Sequence, residues 1–197
     1  MVTKDPVCIG ITGTHSTGKT ELLRRIEMEL RGHGIIVGRT GGLGKHAAAL
    51  GFPKMQHHTA RSTEWIIARG IADELALGAS GAQVVLADRA PVDALAYFTA
   101  ALEFRGDAPG PWEVEQLTAM ASVRTDGYAL LFATVLDPTV PVAASHDYNP
   151  RFRTLVDRHC HTILATGEVK HVRVTSAAES KNEAIRMAVD AVLGVVV

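Results

Sequence analysis

Residues Gly13-Thr14-His15-Ser16-Thr17-Gly18-Lys19-Thr20 fit the pattern G-x-x-x-x-G-K-[ST] at every position, and no other stretch of the 197-residue chain narrows its fold as far. Glycines at both ends let the backbone turn tightly, so that successive N–H groups converge on phosphate oxygens. The pattern needs a buried strand before it and a helix after it. The apolar run VCIGIT over Val7–Thr12 supplies the strand, and Leu22, Leu23, Ile26 and Leu30 recur at helical spacing behind the loop. Such a helix directs its positive end at the same anion. In this arrangement Lys19 reaches the β- and γ-phosphates of a nucleoside triphosphate, ATP in this reading, and the Thr20 hydroxyl coordinates Mg²⁺.

The rest of the chain alternates in the same way. Short strands are expected at 35–38, 83–87, 129–135 and 170–175. Helices are expected around 46–50, from Thr59 or Ser62 to about 77 with Ile67, Ile71 and Leu75 on one face, and from Pro91 to about 104. Further helices are expected from Pro111 to near Gly127, through Phe152, Leu155, Val156, His159 and Ile163, and over 179–193. Mostly apolar strands separated by helices imply a parallel sheet covered on both faces. At 197 residues, without repeats or linkers, the chain reads as one domain, 1–197.

Composition sets outer limits. A net charge of −1 provides no overall positive field for nucleic acid or an anionic membrane, which argues against a dedicated DNA-binding module but leaves room for a local basic site. Cys8 and Cys160 lack metal-ligand or CxxC spacing, and no apolar run approaches the roughly 18 residues of a membrane span. These features and the lack of a signal-peptide core read as cytoplasmic. Nothing in the sequence specifies an oligomeric state.

The phosphate loop alone does not separate kinases from GTPases or motor ATPases. No N-K-x-D guanine-reading motif occurs, and the strand Val84-Val85-Leu86-Ala87 ends in Asp88-Arg89 rather than Asp-Glu. A carboxylate at that strand end lies beside the loop, where it can join the Mg²⁺ shell or accept a proton from an acceptor hydroxyl. The neighbouring Arg89 can grip an anion or position an acceptor.

Together GTHSTGKT, the LGFP near residue 50 and VVLADRAPVDALAYF resemble the small P-loop kinases of the nucleoside and nucleotide kinase group. The likeness is narrowest to ATP-binding proteins related to the ribosylnicotinamide kinase domain and to thymidylate kinase. It extends over about residues 7–175, with only the loop and the DRAPVDALAYF segment specific. The resemblance implies a three-layer α/β P-loop fold with five parallel strands in the order 2-3-1-4-5. It also implies a helical, arginine-bearing lid, placed here at about 137–158, and a catalytic or Mg²⁺-linked Asp88. Arg151 and Arg153 are the first choices for lid arginines, one of them expected in the entry turn, and Arg158 is a third. Related kinases often carry another arginine just before this segment, where this chain reads His146-Asp147-Tyr148-Asn149. Deoxynucleoside kinases commonly place a glutamate after the second strand; Gly38-Arg39-Thr40-Gly41-Gly42 has none, which moves the base role to Asp88, with Asp93 as a weaker candidate.

A small-molecule acceptor, a nucleoside or nucleotide or else a modified base within DNA, is expected at the carboxyl ends of the strands. His57, His58, Arg61, Trp65, Arg89, Tyr97 and Arg124 are candidate contacts, and His15 of the loop faces either phosphate, acceptor or solvent. The rival reading is a regulatory ATPase or switch without a phosphoryl acceptor.

Overall fold

Val7, Ile9 and Ile11 alternate with Cys8, Gly10 and Thr12 along strand β1 (Val7–Thr12), and every residue of this strand is buried. A strand buried on both faces must sit in the middle of a covered sheet, and it does. In this computed structural model, which describes residues 5–140, 142 and 149–196, five strands form one sheet. They are β1, β2 (Val37–Arg39), β3 (Val84–Asp88), β4 (Leu130–Thr134) and β5 (Val172–Val174), in the order β2-β3-β1-β4-β5. All pairings are parallel. Ile11 pairs with Asp88 and Thr12 with Ala133, so the phosphate loop leaves the sheet level with the end of β3.

Among the described residues seven α-helices cover the two faces: α1 (Lys19–Gly32), α2 (Leu43–Ala49), α3 (Ala60–Ala79), α4 (Pro91–Arg105), α5 (Glu113–Thr125), α6 (Pro150–Thr166) and α7 (Ala178–Val196). On one face, Leu22, Leu23, Ile26 and Leu30 of α1 meet Ala184, Ile185, Ala188 and Val192 of α7 over the odd-numbered residues of β1. Each fully buried leucine or isoleucine there contributes about 1.5–3 kcal/mol. On the other face, α4 is buried along most of its length. It packs on α6 through Tyr97, Ala100, Ala101, Phe152 and Val156, and on α3 and α5 through Ala94, Leu95, Phe98, Ile67 and Leu117.

Several element ends differ from the sequence expectation, for identifiable reasons. β2 begins at Val37 rather than at residue 35, because the Ile36 carbonyl is taken by the amides of Gln83 and Val84 where β3 starts. α5 starts at Glu113, preceded by Trp112 in a left-handed conformation (φ 74°). Of the two proposed caps of α3, Thr59 is the N-cap, accepting from the Ser62 amide, and Ser62 is the third helical residue, its hydroxyl accepting from the Thr59 amide.

The buried face of α3 is also not the Ile67–Ile71–Leu75 stripe. Leu75 is exposed, and the inward residues are Ile66, Ile67, Gly70 and Glu74. Gly70 lets α2 approach, with Leu43 only 3.2 Å from where a Cβ would stand. Glu74 takes an inward position because Arg124 and Tyr128 meet it there. Arg124 Nε donates to its carboxylate at 2.5 Å and the Tyr128 hydroxyl donates at 2.8 Å. Arg124 therefore belongs at the amino ends of the strands, where it also reaches Cys8 Sγ at 3.1 Å, and not at an acceptor site.

Candidate active site

The phosphate loop is held in shape before any ligand arrives. Gly13 has φ 134°, and a Cβ there would collide with Thr134 Oγ1 and its carbonyl, so the residue is glycine for steric reasons. The Gly13 amide donates to Asp93 Oδ1 at 2.8 Å, and the Thr12 hydroxyl donates to the same oxygen at 2.7 Å. Thr17 Oγ1 donates to the Thr14 carbonyl at 2.8 Å and lies 2.6 Å from Thr134 Oγ1. α1 opens on Gly18 in a left-handed conformation (φ 85°) without a side-chain cap, which leaves its first-turn amides for an anion.

Lys19 is buried, its amine donating to the Thr14 carbonyl inside the loop. Burial, and after it the charge of Arg89, lower its pKa from 10.5 to about 8. Thr20 Oγ1 donates to Asp88 Oδ2 at 3.0 Å at the solvent-facing edge of the loop. Two hard oxygen donors that close suit Mg²⁺ shared with substrate phosphates. Among the described residues no group of three His, Cys, Asp or Glu side chains forms a metal site of its own.

Arg89 follows Asp88 in a left-handed conformation (φ 86°), a costly geometry for a residue with a Cβ. Its guanidinium donates to Asp93 Oδ2 at 2.7 Å and to the Tyr97 hydroxyl at 3.3 Å. That hydroxyl lies 3.0 Å from His15 Nδ1. A hydrogen-bonded circuit thus runs from the loop amide of Gly13 through Asp93, Arg89 and Tyr97 back to the loop at His15. Asp93 has both oxygens engaged in it and holds the loop in position, which leaves it no part as a base. His15 is buried against Tyr97 rather than turned to solvent. Burial first, then Lys19, Arg89 and Arg153, push its pKa down to about 3.

Beside this circuit, between α2, α3 and α4, lies a cleft of about 650 Å³ including its open mouth. Leu43, Ile66, Ile67 and Ala94 make its apolar walls, and Arg89, Asp93, Tyr97 and His58 bring polar groups into it. Its apolar walls were legible only as helix cores in the sequence, since periodicity does not tell a core face from a cleft face. Of the other acceptor candidates, His57 and Arg61 are exposed, and Trp65 packs on Phe52 with ring centroids 5.5 Å apart, outside the cleft lining.

The arginines after the fourth strand separate. α6 begins at Pro150 behind the cap Asn149, so Arg151 and Arg153 are both in its first turn and neither belongs to an entry turn. Arg153 is buried, donating to the carbonyls of His15 and Ser16 at 3.1 and 3.0 Å, while Thr14 Oγ1 donates to the Arg153 carbonyl. Arg151 instead points away, its guanidinium 5.4 Å from the ring centroid of Phe104. Arg158 pairs with Glu103 on α4. Of the expected lid, residues 143–148 with His146, Asp147 and Tyr148 lie outside the described residues.

The sheet order and the loop–helix junction define a three-layer α/β P-loop fold. Comparison with solved structures gives the same fold. NadR protein in complex with NAD and AMP-PNP superposes with a TM-score of 0.66 at 16% identity, over 96% of this chain and 50% of that one. NadR protein in complex with NR gives 0.67 at 16% identity, over 96% and 52%. Deoxyadenosine kinase from M. mycoides, with products dCMP and a flexible dCDP bound, gives 0.62 at 8% identity, over 96% of this chain and all of that one. The chain therefore spans about half the length of NadR. No family model and no curated protein matches it in sequence. Among the described residues no helix is long and apolar enough to cross a membrane.

Proposed function

We propose that the protein is an ATP-dependent phosphotransferase that moves the γ-phosphoryl group to a hydroxyl or phosphate of a nucleoside-like acceptor seated in the α2–α3–α4 cleft. The observation that carries this reading is the circuit Gly13–Asp93–Arg89–Tyr97–His15, which joins a phosphate-binding loop directly to a mostly apolar cleft. A hydrolytic switch has no need of such a cleft beside its phosphate loop. The structures in complex with NR and AMP-PNP and with dCMP support it as fold relatives that hold such ligands.

ATP with Mg²⁺ supplies the phosphoryl group and neutralises part of its charge. The chain does the rest. Loop amides and Lys19 hold the β- and γ-phosphates, Thr20 and Asp88 face the metal position, and Arg89 fixes the acceptor's reacting end. Asp88 either completes the Mg²⁺ shell or accepts the hydroxyl proton as the new O–P bond forms and ADP leaves. Arg153 braces the loop from behind, and Arg151 has to swing from Phe104 to reach a phosphate.

ATP turnover with and without a panel of nucleosides, nucleotides and short DNAs tests the reading; hydrolysis indifferent to every acceptor would overturn it. Asp88→Asn is expected to lower phosphotransfer by about 10²–10⁴-fold. A loss recovered at high Mg²⁺ assigns Asp88 to the metal, and a loss that persists assigns it to the proton. Full activity with unchanged ATP affinity would remove Asp88 from the mechanism.

A further inference from the structure

The cleft that we read as the acceptor seat has a charge balance of its own, and the inference below rests on that reading. Its lining carries two cations, Arg89 and Lys54, against one carboxylate, Asp93. Asp93 has no oxygen to spare, since Oδ1 takes the Thr12 hydroxyl and the Gly13 amide and Oδ2 takes Arg89. Arg105, behind the wall, donates to the carbonyls of Gln56 and His58 and is paired with Asp107, so it brings no net charge. Asp88 turns to Thr20 and lies outside the lining.

His58 gives a second, independent indication. It is 6% exposed, it lines the cleft, and its Nδ1 is buried without a hydrogen-bond partner among the described residues. A buried polar atom left unpaired is costly unless something completes it. Burial, followed by the charges of Arg89 and Arg105, lowers the His58 pKa to about 4, so at neutral pH the ring is uncharged and offers a donor or an acceptor according to its tautomer.

We propose that this cleft selects an acceptor with an uncharged ring whose polar edge meets the His58 imidazole, and rejects nucleosides whose ring carries a fixed positive charge. The apolar walls of Leu43, Ile66 and Ile67 accept a flat ring of either kind. A cationic ring must leave water for a site whose one carboxylate is already paired with Arg89 and whose remaining charge, Lys54, repels it. A neutral ring loses little on entry and gains the His58 contact.

Calorimetry on the full chain with matched nucleosides tests this. One pair is N-ribosylnicotinamide, a pyridinium cation, against its uncharged 1,4-dihydro form; the other is 1-methyladenosine, cationic at neutral pH, against adenosine. The neutral member of at least one pair is expected to bind about tenfold or more tightly than its cationic partner. Equal or tighter binding of the cations overturns the proposal, as does binding of none of the four. His58→Leu is expected to weaken the neutral nucleoside about tenfold, with ATP binding unchanged and His58→Gln restoring part of the loss. Undiminished binding to His58→Leu overturns the ring-edge contact. The two readings fail separately: discrimination by charge without any phosphotransfer sinks the kinase reading alone, and phosphotransfer to a cationic nucleoside sinks this one alone.

Discussion

Replacing Lys19 with methionine is expected to cut phosphotransfer by about 10²–10³-fold or more while the protein stays folded. The amine is the buried cation closest to where the transferring phosphates would lie, held in place by the Thr14 carbonyl within the loop. The same residue sets a pH dependence. In the free protein its pKa lies near 8, because burial and Arg89 disfavour the charged form. A bound triphosphate favours that form and raises the value. ATP affinity is therefore expected to be level below about pH 8 and to fall above it, by up to about tenfold per pH unit, since binding must then recover a proton. Titration calorimetry from pH 6 to pH 9.5 reads this directly, and Lys19→Met should abolish the slope. Stability moves in the opposite sense. Between about 8 and the ordinary lysine value of 10.5 the unfolded chain holds more protons than the folded one, so the free protein gains stability as pH rises through that window. Methionine removes the cost of the buried charge, and a variant that is inactive yet no less stable is the expected outcome. An inactive variant that is also unfolded would place Lys19 in the structure rather than in phosphate binding.

The largest effect on stability is expected at the opposite end of the sheet. Glu74 is 2% exposed and takes hydrogen bonds from Arg124 and Tyr128. Glu74→Leu leaves a mostly buried guanidinium without its counter-charge, which costs about 3–5 kcal/mol. Arg124 retains 18% exposure and can turn partly outward, so the lower end of that range is expected. At about 2–4 °C per kcal/mol for a domain of this size, the melting temperature should drop by roughly 6–12 °C. Removing the whole group together, Glu74→Leu with Arg124→Met and Tyr128→Phe, should recover most of the loss, because no unpaired polar atom remains. Denaturant midpoints of the single, double and triple variants measure the coupling. A triple variant as unstable as Glu74→Leu would mean that the network stabilises the fold outright. Phosphotransfer should be unaffected throughout, since these residues lie at the amino ends of the strands.

These two sites differ in how far they could be read from sequence, and the difference is physical. Residues 13–20 obey a local rule: the turn, the amides and the lysine are determined by neighbours in the chain. So are the apolar strands on either side, whose runs of Val, Ile and Leu announce burial on both faces. Glu74 obeys no local rule. One helical step is 100°, so choosing Leu75 over Glu74 as the inward residue turns the face of α3 by that angle, and only Arg124 and Tyr128, fifty residues on, explain the outcome. Asp93 lies between these cases. Its spacing of four from Arg89 suggests an ion pair on the first turn of α4, but its hold on Gly13 is a contact across 80 residues. Arg151 and Arg153, alike in sequence, separate because two steps along a helix put them on different sides, one toward the phosphate loop and one toward Phe104. His58 stands among the candidate acceptor contacts in the sequence, but nothing there separates it from its neighbour His57; its unpaired buried nitrogen exists only in the folded chain.

The left-handed backbone at Arg89 places two demands on that position that no single side chain meets. The turn between β3 and α4 is one a glycine would adopt without strain, whereas arginine pays of order 1–3 kcal/mol for it. Its bonds to Asp93 and Tyr97 offset that cost. A glycine variant relieves the strain but leaves Asp93, 2% exposed, without its counter-charge, so it should melt below the parent as well as losing the link between loop and cleft. Residue 89 is thus a place where the backbone favours glycine and the buried carboxylate beside it demands a cation, so the arginine satisfies the second requirement at the expense of the first.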